Sequence, residues 1–282
     1  MIDGAIEEVM KKLQSVQLEL ANVLKAVCDK NGIRYYLAYG TLIGAVRHDG
    51  FIPWDDDIDV MMPYPDLLKF QEACKTDLPK GYFYQSPETD PEYKLSIMRL
   101  CKDNTLLLEK ETADKNVHHG IFIDIYPMYG ASPKHKKLQM IRAMKRALYL
   151  LDEPVKNHGA IMKLGSTVLL KTKTKKGKAR AERKLFRKIS KFPYDESESV
   201  VCLNSSIHTM RTIYKREWFG DGVPHKFGEC EFTVPCDPDS ILKLIYGDYM
   251  SLPPESERKP HHDFVKIDFG DNDNDKTDIG TN

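Results

Sequence analysis

Apolar side chains at Ile6, Val9, Met10, Leu13, Val16, Leu20, Val23, Leu24 and Val27 recur at helical spacing, which predicts one long amphipathic helix over residues 3–30. Asn31-Gly32 ends it. Residues 33–38 are aromatic and branched and read as a strand running into Gly40. A short helix follows over 41–47, with Thr41 near its start. Gly50 and Pro53 turn the chain, and residues 58–62 begin the next strand. Pro65 opens a helix to about residue 76. Strands are predicted at 82–85, 93–101 and 105–108, the last two joined by the turn Lys102-Asp103-Asn104, and HGIFIDIYP at 119–127 alternates as another strand.

From Pro133 the pattern changes. Residues 134–151 are helical and basic on one side, and residues 171–191 carry eleven Lys or Arg against the single Glu182. Order returns with a strand at 227–234 and a helix at 238–246, and the acidic end, 271–282, reads as a frayed tail. Helices and strands interleaved in this way predict a mixed α/β core rather than a bundle. We read 1–270 as one catalytic domain with a helical, basic insertion at about 131–225.

Lys plus Arg and Asp plus Glu are both 42 in a chain of 282, so net charge gives no reason to expect nucleic acid, and the basic segment has no aromatic interleaving. No apolar run approaches the roughly 20 residues that cross a bilayer, so no transmembrane segment is expected. The amphipathic, acidic start is no signal peptide. Cys28, Cys74, Cys101, Cys202, Cys230 and Cys236 are dispersed without paired spacing, which points to reduced thiols in a cytoplasmic protein and not to a zinc site. The basic stretch 171–191 has two readings. It is a solvated helix with Leu185, Phe186 and Ile189 packed inward, or a peripheral contact for an anionic polymer or membrane surface.

The densest chemistry lies in WDDDIDV, residues 54–60. On a strand, Asp57 and Asp59 share a face while Ile58 and Val60 point into the core. Two such carboxylates at the mouth of a sheet offer hard oxygen ligands to Mg²⁺ or Mn²⁺. A third is needed to hold a second ion or take a proton, and Asp124, between Ile123 and Ile125, is the candidate. A run of three aspartates is most often a solvated turn, but a lone carboxylate between isoleucines requires a partner. Asp55 and Asp56 are either direct ligands or orient Arg47 or His48. Gly40-Thr41, ahead of the short helix, allows close backbone approach and free N–H groups for a phosphate. Arg47 and His48 are candidates to meet phosphate or leaving-group charge.

These segments also carry a resemblance. YGTLIGAVRHDGFIPWDDDIDV resembles the signature of the LicD family, whose members include bacterial phosphocholine transferases and the fukutin-related proteins. HHGIFIDIYP is similar to the family's second block. YGDYMSLPP, followed by Arg258, His261 and His262, is similar to its closing block. The resemblance implies a nucleotidyltransferase-like core, a mixed sheet flanked by helices. It implies Gly40 and Thr41 at the phosphate turn, Asp57 and Asp59 as the metal pair, and Asp124 as the third carboxylate, with catalysis and metal binding shared by those three aspartates. It further implies transfer of a phosphorylated alcohol, phosphocholine first, from CDP-choline or another CDP-alcohol to a glycan acceptor, with release of CMP. Such a step serves lipopolysaccharide, teichoic acid or capsule biosynthesis.

A choline headgroup calls for aromatic faces. Tyr35, Tyr36, Tyr39, Trp54, Tyr126 and Tyr129 lie near these motifs, with Trp54 and Tyr126 the leading candidates and core packing the alternative for all. His262 is the favoured histidine; His118-His119 and His261 have structural readings of equal weight. Arg258 and Lys259 are candidates for diphosphate, or an ordinary wet loop. Two other classes remain: a glycosyltransferase whose DxD holds a metal-bound sugar nucleotide, and a non-catalytic binding protein that kept the fold. The Gly-Thr turn disfavours the first and the intact carboxylate set disfavours the second.

Overall fold

The computed structural model describes residues 4–110, 112–154, 159–203, 210–260, 262 and 264–270. His261 and the tail 271–282, both singled out in the sequence, lie outside the described residues. The chain divides into two compact units, one made of residues 1–93, 98–126 and 217–282, the other of 94–97 and 127–216.

In the first unit, α1 (Gly4–Asn31) buries Leu13, Leu20, Leu24 and Val27, one stripe at helical spacing. A short strand β1 (Tyr36–Leu37) pairs antiparallel with β2 (Asp59–Pro63), Tyr36 opposite Met61 and Leu37 opposite Val60. Between them lies α2 (Tyr39–His48), and α3 (Tyr64–Ala73) follows β2 directly. Next come β3 (Tyr82–Gln85), β4 (Met98–Lys102), β5 (Leu106–Glu109) and β6 (Phe122–Ala131). Strand order in the mixed sheet is β1-β2-β6-β4-β3, which sets Asp59 and Asp124 on neighbouring strands. Ile58, Val60, Ile123 and Ile125 are buried, as alternation predicts.

The second unit takes the C-terminal half of β6, which pairs antiparallel with β7 (Ser199–Cys202), itself paired with β8 (Tyr214–Lys215). Its helices are α4 (Lys136–Leu151), α5 (Gly159–Lys171) and α6 (Lys175–Ile189). Here the basic stretch adopts the inward-packed reading on one side. Ile189 is buried, Phe186 meets Tyr129 edge-on with ring centroids 6.2 Å apart, and Arg146 of α4 lies over the Phe186 ring. Back in the first unit, β9 (Val223–Phe227) and β10 (Cys230–Val234) form a hairpin, followed by α7 (Pro238–Tyr246) and β11 (Phe264–Asp268), which pairs with β5.

Four expectations need correction. The predicted strand 227–234 is the end of one strand, a turn at Gly228-Glu229 and a second strand; Gly228 takes a φ of +63° that breaks the run. The predicted strand 93–101 starts only at Met98, and it does not pair with 105–108 across the turn. Asn104, at φ +59°, sends β5 to a separate two-stranded sheet with β11 instead. Asp57 lies just ahead of β2, not on it. Gly40-Thr41 lies within the first turn of α2 and not before it, because Tyr39 already turns the chain at a left-handed φ of 46°.

Candidate active site

The aspartate loop is held by its backbone from below. Gln14 and Gln17 of α1 donate side-chain amides to the carbonyls of Asp55 and Asp56, each at 2.8 Å. Gln17 is fully buried, so this link substitutes for the water the loop has lost. From α2, the Thr41 hydroxyl accepts the Asp59 N–H at 2.9 Å and locks the helix start to the first residue of β2. Ala38 N–H donates to Asp59 C=O and Asp124 N–H to Ile58 C=O, both at 2.9 Å. The glycine at position 40 has a steric reason: a Cβ there would stand 2.8 Å from Asp55 Oδ2, so its absence makes room for that carboxylate.

Five aspartates converge, and three of them (Asp55, Asp56, Asp57) bring ligand oxygens within 4.8 Å of one another. Asp55, Asp56, Asp59 and Asp124 are buried. Among the described residues, Asp55 Oδ2 and Asp59 Oδ1 have no hydrogen-bond partner. Burial, then the charges of Asp57 and Asp56, pushes the Asp55 carboxyl up to about 8. Asp59 is also raised well above the usual carboxylate range, by burial first and then by Asp57, Asp124 and Asp55, although Tyr126 hydrogen-bonds it. Like charges this close cannot all ionise without a counter-cation. Hard oxygen donors, two of them unanswered in a buried site, fit a divalent cation of the Mg²⁺ or Mn²⁺ type.

The other carboxylates already have protein cations. Asp56 accepts the backbone N–H of His262 at 3.0 Å and faces its Nδ1 at 3.2 Å, while His262 Nε2 lies 4.0 Å from Asp57. Burial opposes charge on this imidazole, but Asp56 and Asp57 outweigh it and push its pKa up to about 9. Asp124 receives Arg99 Nε at 2.9 Å, and the same guanidinium forks onto Glu109 at 2.8 and 3.3 Å while lying 3.5 Å over the Phe122 ring. Burial raises the Asp124 carboxyl and Arg99 works against that rise. Arg99 and Asp124 are directly cross-strand on β4 and β6, so sheet register makes this pair.

Around the cluster, Tyr39 and Tyr126 meet edge-on at 5.1 Å, and Arg258 lies 5.6 Å from the Trp54 ring centroid while its Nε donates to Pro253 C=O. The structure therefore groups Gly40, Thr41, Asp57, Asp59, Asp124, Tyr126 and His262, and sets Trp54 with Arg258. Arg47 instead donates to the carbonyls of Tyr249 and Ser251 at 2.5 and 3.3 Å, clamping the chain after α7, and to His48 at 3.0 Å. Asp56 orients His262 and not Arg47 or His48. Tyr36 donates to Gly220 C=O and packs on Phe219, a core role, and His118 bonds Asp103 and stacks on Phe83.

Sequence reasoning missed Gln14, Gln17, Arg99, Glu109 and Tyr246. The Tyr246 phenol is raised by desolvation and then by the charges of Asp59, Asp55 and Asp57, so it feels the field of the carboxylates. Arg99 had a signal, since a lone arginine in the apolar strand IMRLC demands a buried anion. Gln14 and Gln17 had none, because an isolated glutamine on a helix reads as surface.

A mixed α/β core with convergent carboxylates beside a helix start defines a nucleotidyltransferase-like protein. The family described as LicD/FKTN/FKRP, nucleotidyltransferase domain, matches residues 32–156. A lipopolysaccharide cholinephosphotransferase LicD of Haemophilus influenzae is 30% identical over 268 residues, covering 90% of this chain and 97% of that protein. The ribitol 5-phosphate transferase FKRP of Mus musculus is 45% identical over 72 residues, 24% of this chain and 15% of that protein. The Homo sapiens FKRP matches equally over 72 residues. The chain belongs to the LicD family, and its catalytic domain gives it an enzymatic, phosphotransferase-like role. Among the described residues no helix is long and apolar enough to cross a membrane.

Proposed function

We propose that this chain transfers a phosphorylated alcohol, phosphocholine by preference, from a CDP-linked donor to a hydroxyl of a glycan or cell-surface polysaccharide precursor, and that it works in the cytoplasm. The observation that carries the reading is the buried aspartate cluster with two oxygens left without a partner among the described residues, a donor set that suits a divalent cation and through it an anionic diphosphate. The full-length similarity to a cholinephosphotransferase supports phosphocholine as the group moved.

Asp57, Asp59 and Asp124 would hold Mg²⁺ or Mn²⁺, with Asp55 as a further oxygen donor. A divalent cation there would neutralise the donor's diphosphate and stabilise charge on its departing oxygen. The first-turn N–H groups of α2, at Gly40 and Thr41, face the phosphates, and Arg258 and protonated His262 add positive charge. Arg47 acts by holding the loop after α7, and His48 acts by orienting Arg47. Trp54, Tyr126 and the neighbouring Tyr246 border the alcohol headgroup. The acceptor hydroxyl oxygen attacks the phosphorus that carries the alcohol. The bond from that phosphorus to the bridging oxygen breaks, CMP leaves with the electron pair, and Asp124 takes the hydroxyl proton.

Titration calorimetry with Mg²⁺ and CDP-choline, CDP-ribitol, CDP-glycerol, UDP-N-acetylglucosamine and CMP tests this without an acceptor. CDP-choline should bind more tightly than CMP and than the sugar nucleotide. Preference for UDP-N-acetylglucosamine would replace the reading with a glycosyltransferase, and preference for another CDP-alcohol would change the cargo alone.

A further inference from the structure

Helix α5 leaves a stripe of large apolar side chains in solvent. Ile161, Leu164 and Val168 are 88%, 67% and 55% exposed. They recur at i, i+3 and i+7, so they share one face, while Ser166 and Leu170 on the opposite face are buried. The pattern inverts what a soluble helix does, because here the polar Ser166 faces in and the branched aliphatics face out. A contiguous exposed apolar face of this kind marks a surface that is covered in use.

The charge around the stripe identifies the cover. From residue 159 to 181 there is no Asp or Glu, against Lys163, Lys171, Lys173, Lys175, Lys176, Lys178 and Arg180. The next acid, Glu182, is bound to Arg146 at 2.7 Å. Lys163 and Lys171 to Lys176 are exposed, so the cations stand free along and beyond the helix. Symmetric pairing of two copies through this face would crowd the exposed Lys163, Lys171, Lys173, Lys175 and Lys176 of each copy against those of the other, although Lys178 is bound to Asp152. At 13 residues α5 is about 20 Å long, too short to span a bilayer but suited to lying in its interface.

We propose that the outer face of α5 is a peripheral membrane-binding face that lies in the headgroup region of an anionic lipid bilayer, with Ile161, Leu164 and Val168 inserted and the lysines of residues 163–176 paired with lipid phosphates. This does not depend on which alcohol is transferred. It also fixes which part of the basic region does the work: the apolar stripe precedes the lysine run, and neither suffices alone, since binding through so small an apolar face needs the electrostatic contribution.

The test is co-sedimentation of the full chain with vesicles of phosphatidylcholine alone and with about 30% phosphatidylglycerol, at low and high salt. The protein should pellet with the anionic vesicles at low salt and stay in solution with the neutral ones. Leu164→Glu with Val168→Glu should reduce vesicle binding at least tenfold, and Lys173→Glu with Lys176→Glu should do so with the apolar stripe intact. Far-UV circular dichroism and CDP-donor binding, both expected unchanged, separate this from misfolding; the single Ile161→Glu serves if the pair does not fold. Equal binding to neutral vesicles, or retained binding in the Leu164/Val168 variant, would overturn the proposal. So would a wild-type dimer that the same variant turns into a monomer.

Discussion

The two units hold charge in opposite ways. In the first, Asp55, Asp59 and Asp124 are buried with a few formal partners, and each is shifted toward its neutral form. In the second, α6 carries its basic residues on the solvent side, with exposed Arg183, Lys184, Arg187 and Lys188 opposite Phe186 and Ile189. A density of like charge therefore says little until burial is known. Water screens the second set almost completely, while the first set stores repulsion that only a cation or a proton relieves.

Removal of the buried charges should have the largest effect. Asp57→Asn, Asp59→Asn and Asp124→Asn should each lower turnover by about a thousandfold or more while circular dichroism stays native. Near-normal activity in any of the three would take that residue out of the cation site.

Removing a counter-charge comes next. Arg99→Met leaves the buried Asp124 and the half-buried Glu109 without their shared cation, and should cost about 3–5 kcal/mol in denaturant unfolding. Adding Glu109→Gln and Asp124→Asn should recover part of that loss, and no recovery would mean that Arg99 acts mainly by packing on Phe122.

The pH response sharpens it further. Asp55 is raised from 3.8 to about 8, so its stabilising protonated form is complete below about 4 and lost as pH rises through 8. His262, raised from 6.5 to about 9, has the same sign over a higher window. Without divalent cations the melting temperature should therefore fall from about pH 5.5 to pH 9, and Mg²⁺ or Mn²⁺ should raise it more at about pH 8.5 than at 5.5. Asp55→Asn should stabilise the cation-free protein by on the order of 1–2 kcal/mol and shrink that cation gain. A cation shift that is the same at both pH values would argue that the carboxylates are already ionised.

The smallest effect belongs to the second unit. Arg183→Gln and Lys184→Gln should each change stability by no more than about 0.5 kcal/mol, checked by thermal melting. A larger loss would show that these cations are partners in a structure and not solvated.

Elements with strong periodicity, and the motifs within them, are readable from the chain alone. The long stripe of α1, the alternation of β6 and the helix at 238–246 are legible because 3.6- and 2-residue periods report burial directly. The same holds for the LicD signature and for the aspartates it contains. Register and partnership belonged to the tertiary structure. Nothing local states that Arg99 faces Asp124 or that His262 binds Asp56 from 206 residues away. The same is true of Gln14 and Gln17 reaching up to the aspartate loop, and of β5 leaving β4 for β11. Hydrophobic periodicity is a property of neighbours along the chain, whereas the charge state of an aspartate depends on what the fold brings within a few ångströms and on how much water it removes.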